Sequence, residues 1–125
     1  MTRIIIVMYL CLIVITLNSC YRDNEEELYP GNGGACDITG VTYSATVVPL
    51  LQSNGCVGCH SGGAPSGGIA LNTYTSVKGV ATGGKLYGAI SHAAGFSPMP
   101  KNGTKMNSCD INKIKAWIDA GALNN

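Results

Sequence analysis

Cys56, Cys59 and His60 stand at the spacing C-x-x-C-H inside NGCVGCHSGG, a stretch otherwise made of glycine and small residues. Two thiols at this spacing can each form a thioether to one of two neighbouring vinyl groups of a haem, while the imidazole that follows takes the iron. A chain built around such a planar cofactor wraps it rather than packing a large core of its own. Composition agrees. Six Tyr, one Phe and one Trp against 17 Gly in 125 residues leave little large apolar surface to bury, and one covalent haem c supplies the missing surface.

Other chemistries draw on the same residues. Zinc needs four ligands, and Cys56, Cys59, His60 and His92 form such a set only on paper, because His92 has no partner at metal-ligand spacing. A redox dithiol expects a βαβ setting with a helix starting at the first Cys, whereas here a helix ends there. A disulfide between Cys56 and Cys59 gives His60 no role. Haem attachment is the reading that employs all three side chains without calling on a fourth ligand.

The first nineteen residues stand apart. Arg3 precedes IIIVMYLCLIVITL (4–17), fourteen residues with no polar face, too few for a bilayer span of about 20. This is the pattern of an export signal. LNSC (17–20) then resembles the lipobox of bacterial lipoproteins through Leu17, Ser19 and Cys20, with Asn18 a less usual choice. The resemblance implies cleavage before Cys20, acylation of that residue and anchorage to a bacterial membrane, on its periplasmic face or at the cell surface.

Residues 20–40 have the composition of a tether, with Asp23, Glu25, Glu26 and Glu27 followed by Pro30 and a glycine-rich run. One Arg against five acids makes the tether net −4, while residues 41–125 carry six Lys against two Asp, net +4. The overall charge of +1 therefore hides an acidic leash and a basic domain, and argues for no nucleic-acid partner. In an oxidising compartment the two cysteines outside the motif and the anchor, Cys36 and Cys109, are expected to pair.

Within residues 41–125, Tyr43, Val47, Leu50 and Leu51 recur at helical spacing, and Pro49 confines the helix start to about Thr46, since proline is tolerated only in a first turn. Asn54 and Gly55 stop it. LNTYTSVKGV predicts a short helix capped by Asn72 or Thr73, and GGKLYGAISHAAG a second. Prolines on both sides of Met99 exclude a helix through FSPMPKNGTKMN. Ile111, Ile114 and Ile118, with Trp117 beside them, mark the apolar face of a closing helix capped by Asn107 or Ser108 and stopped by Gly121. No alternating strand pattern occurs. The expected fold class is all-α, three to five short helices with long Gly/Pro-rich loops around one haem.

Taken in order, the helix, CVGCH (56–60), the glycine-rich loop, the short helices, SPMP (97–100) and the closing IKAWIDAGA (114–122) resemble a monohaem class I-type c-type cytochrome over about residues 43–123. The resemblance implies a cytochrome c-like domain whose closing helix crosses the first, with His60 as proximal and Met99 as distal axial ligand. Met106 and His92 are the rivals for the distal position. A six-coordinate iron has no open site for substrate, so the expectation is an electron carrier, not an enzyme. Its partner is a redox protein, steered if Lys78, Lys85, Lys101 and Lys105 meet an acidic docking surface. Alternatives are a haem-based sensor in which Met99 is displaced, and the electron-input subunit of a larger oxidoreductase.

Overall fold

Pro49 decides how the first helix is built. The Thr42 hydroxyl accepts the N–H of Ala45, and the chain then winds a π turn, Tyr43–Val47, before α1, Val48–Ser53. In that turn the amides of Val47 and Val48 reach back five residues, to the carbonyls of Thr42 and Tyr43. A proline ring in an α-helix collides with the carbonyl four residues before it, and a proline has no N–H to place. The wider π turn carries the chain up to Pro49 without that collision. The helix therefore begins at Tyr43 and not near Thr46, and its buried face runs through Tyr43, Val47 and Leu51.

The computed structural model describes residues 36–125. The export signal, the Cys20 anchor and the acidic part of the tether lie outside the described residues. Cys36–Asn125 forms one compact unit. Five helices and no strand occur among the described residues, which makes the domain all-α.

Gly55 takes φ 70°, a left-handed conformation that ends α1 and opens the single turn α2, Cys56–Cys59. The motif is thus a helical turn of its own that starts at the first Cys, where the sequence pattern predicts only the end of the preceding helix. A 3₁₀ turn, Ser66–Gly68, leads to α3, Tyr74–Thr82, where Thr73 and Ser76 exchange side-chain to backbone hydrogen bonds as a capping box. α4, Lys85–Ile90, follows after Gly84. The proline-containing loop then runs to α5, Ser108–Asp119, whose first turn is capped by the Asn107 side chain on the amide of Cys109.

α5 packs on the π turn and on α4, and α4 on α3. Where α5 meets the π turn, the Trp117 ring lies 5.6 Å from Tyr43, and Tyr74 meets Tyr43 edge-on at 5.1 Å, arrangements favoured by the ring quadrupole. Trp117, Leu51, Ile114, Val47 and Val77 are the largest fully buried side chains. Ile118 is only half-buried, because Trp117 holds the innermost position on that turn. The residues after α5 fold back: the Trp117 Nε1–H donates to the Leu123 carbonyl and the Tyr74 hydroxyl to the Ala122 carbonyl, both at 2.8 Å. Ser44 and Tyr43 donate their amides to Asn125. First helix, third helix and C-terminal segment are thereby locked together. A disulfide joins Cys36 to Cys109, tying the chain ahead of the first helix to the start of α5.

Candidate cofactor-attachment site

One helical turn carries both thiols. Cys56 and Cys59 sit at i and i+3 of α2, on neighbouring positions of one face, and neither is in a disulfide. Burial pushes the Cys56 thiol up from its ordinary value, the dominant cause being desolvation, whereas Cys59 is exposed. In the chain without an attached cofactor, iodoacetamide under non-reducing conditions is therefore expected to label Cys59 about tenfold faster than Cys56. Peptide mass mapping reads the ratio, and equal rates would show that the burial of Cys56 does not persist in solution.

His60 caps the turn and is held at every polar group but one. Its amide donates to the Cys56 carbonyl at 3.0 Å, its carbonyl accepts from the Leu71 amide at 2.7 Å, and its Nδ1 lies 3.0 Å from the Ile69 carbonyl. A carbonyl only accepts, so Nδ1 carries the hydrogen and the lone pair is on Nε2. His60 is 8% exposed, so this tautomer and orientation are fixed within a mostly dry setting. An imidazole oriented in this way through its other nitrogen is a more basic and better aimed metal ligand.

Met99 lies on a separate segment and is anchored to α4, not to the Cys56–His60 turn. Its amide donates to the Ala89 carbonyl and its carbonyl accepts from His92 Nε2, each at 3.0 Å. The peptide bond to Pro100 is cis. Phe96, earlier in the same loop, rests on α4 at Gly88, where a Cβ would stand 2.5 Å from the ring. Met99 is half-buried. Met106 is 6% exposed within the apolar core, which leaves Met99 as the methionine of the pair on the accessible side.

His92 bonds the Met99 loop and does not join Cys56, Cys59 and His60. Among the described residues no group of three or more His, Cys, Asp or Glu side chains is placed to hold a metal ion, so the four-residue zinc set is not assembled. Of the lysines, Lys78 lies over the Tyr74 ring at 5.6 Å, while Lys85, Lys101 and Lys105 are exposed. Lys115 pairs with Asp119 one turn on.

Ile69 is the residue of the candidate site that sequence reasoning missed. Its contribution is a main-chain carbonyl nine residues from His60, and no side-chain pattern announces it. Compared with protein-family models, with curated proteins and with solved structures, the chain has no match in any of the three.

Proposed function

We propose that the domain holds one covalently attached haem c and transfers single electrons, with Cys56 and Cys59 as the thioether cysteines and His60 and Met99 as axial ligands. The observation that carries this reading is the His60 ring, with Nδ1–H committed to Ile69 and Nε2 left free, on the residue that ends the turn bearing two unpaired thiols. Two free thiols on one turn and an imidazole whose other nitrogen is unbound are the groups that covalent haem requires. When bound, the haem supplies one-electron ferrous/ferric chemistry. His60 would hold the iron through its free nitrogen. Met99 would contribute a neutral, soft sulfur that favours the reduced state. The apolar core around Leu51, Val47 and Trp117 limits water, and exposed Lys85, Lys101 and Lys105 suit a redox partner with an acidic docking surface. Acylation at Cys20 would keep the domain at a membrane, at the end of its acidic leash.

The test is a pair of visible spectra, oxidised and reduced, on protein matured in a haem-attaching host. Met99→Ala is expected to lose the weak band that Met coordination gives ferric haem and to lower the reduction potential. Carbon monoxide should then bind the reduced variant more than about tenfold faster, the factor supplied by 1.4 kcal/mol of lost competition. Met106→Ala should retain the band. Absence of haem after such maturation overturns the proposal, and rapid carbon monoxide binding to the unaltered protein would turn it towards the sensor reading.

A further inference from the structure

We infer that His92 is a positioning residue, which sets the main chain of Met99 through a side-chain hydrogen bond and thereby aims the thioether. The argument starts from how helices end in this chain. Gly55, Gly84 and Gly121 each follow a helix in the left-handed conformation, with φ of 70°, 74° and 95°. Glycine is the residue that adopts this conformation at least cost, and it is the usual occupant of the position after a helix cap. α4 ends in the same way, yet the residue there is His92, at φ 56°. The hydrogen bonds match those closing α5. Ala93 donates to Gly88 and His92 to Ala89 after α4, as Ala122 donates to Trp117 and Gly121 to Ile118 after α5. The backbone geometry alone would be served better by glycine.

What the histidine adds is its ring. Nε2 lies 3.0 Å from the Met99 carbonyl, and since a carbonyl only accepts, Nε2 is the donor. The Met99 amide is bound to the Ala89 carbonyl, which also accepts from the His92 amide. Both polar groups of the Met99 main chain are thus tied to the last turn of α4 and its cap. Pro98 and Pro100 on either side have no amide hydrogens to offer, so the loop has few other means of fixing this residue. Strained backbone that is retained beside a functional segment is a recurrent sign of such a role.

The consequence for the iron rests on the reading of Met99 as a ligand, so the test has two arms. His92→Leu removes the donor while keeping a side chain, and His92→Gln restores an N–H at the same number of bonds from Cβ. In the first arm, amide hydrogen exchange of full-length protein is read by NMR. The Met99 amide should exchange about tenfold faster in His92→Leu, recover substantially in His92→Gln, and leave the α5 amides unchanged. In the second, imidazole titration of the haem-loaded protein should displace Met99 at about tenfold lower concentration in His92→Leu than in the unaltered protein. His92→Gly should show the same displacement with an equal or higher melting temperature, which separates positioning from folding. Unchanged exchange at Met99 overturns the inference, as does faster exchange with unaltered displacement in a protein that has the Met99-dependent band. If the unaltered protein lacks that band, the ligand reading is what fails, and the exchange arm still decides whether His92 holds the loop.

Discussion

His60→Ala is expected to leave the helical fold in place while abolishing the normal haem spectrum. The backbone bonds at this residue, from its amide to Cys56 and from Leu71 to its carbonyl, do not need the ring. The Ile69 carbonyl loses its partner, which costs about 1–3 kcal/mol if no water replaces it. On the proposed haem reading the iron would lose its nitrogen ligand. Removal of a mere orienting partner weakens a metal bond by about 10–100-fold, and removal of the ligand itself should exceed that. Added imidazole is expected to enter the vacated space and restore a six-coordinate spectrum, because the Ile69 carbonyl remains there to orient it. Circular dichroism checks the fold and visible absorption the ligation. A spectrum like that of the unaltered protein without added imidazole would show that His60 is not the proximal ligand.

The parts of this domain that are legible in its sequence are those whose cause is local. Ile111, Ile114 and Trp117 lie on one face by helical period alone, and they are buried. Thr73 and Asn107 cap because short oxygen-bearing side chains reach the amides just ahead of them. The start of the first helix is not local. Thr46 follows from treating Pro49 as a first-turn residue of an α-helix, but the chain uses a π turn, and Tyr43 is held inside it by Trp117, Tyr74 and Asn125 from far along the sequence. Similarly, CVGC has little helix propensity, and Gly55 reads as a stop. The turn is closed there by main-chain bonds at His60, from its amide to Cys56 and from the distant Leu71 amide to its carbonyl. His92 illustrates the same limit: an exposed histidine at a helix end is visible, but its partner is a main-chain oxygen, which has no letter in the sequence.

Among stability effects the largest expected is that of Cys36→Ser with Cys109→Ser. The two cysteines are 73 residues apart in sequence, so the bridge closes most of the domain into one loop. The chain-entropy relation for a loop of this length gives about 4 kcal/mol of stabilisation, acting by restricting the unfolded chain. Little of it comes from native contacts: the capping bond from the Cys109 amide to Asn107 uses the backbone and survives the change. A small domain with few aromatics has little reserve against such a loss. For a chain of this size the change corresponds to a fall in melting temperature of about 15–30 °C. Thermal unfolding of the double variant, with Cys56 and Cys59 unaltered and the haem content matched, measures it. Because the effect lies in the unfolded state, near-native spectra at low temperature should accompany the lower midpoint. A midpoint within about 5 °C of the unaltered protein, corresponding to about 1 kcal/mol, would mean either that the bridge is not formed in solution or that the attached haem already constrains the unfolded chain. Counting free thiols in the unfolded, unaltered protein separates those two cases, since an intact bridge leaves Cys36 and Cys109 unreactive.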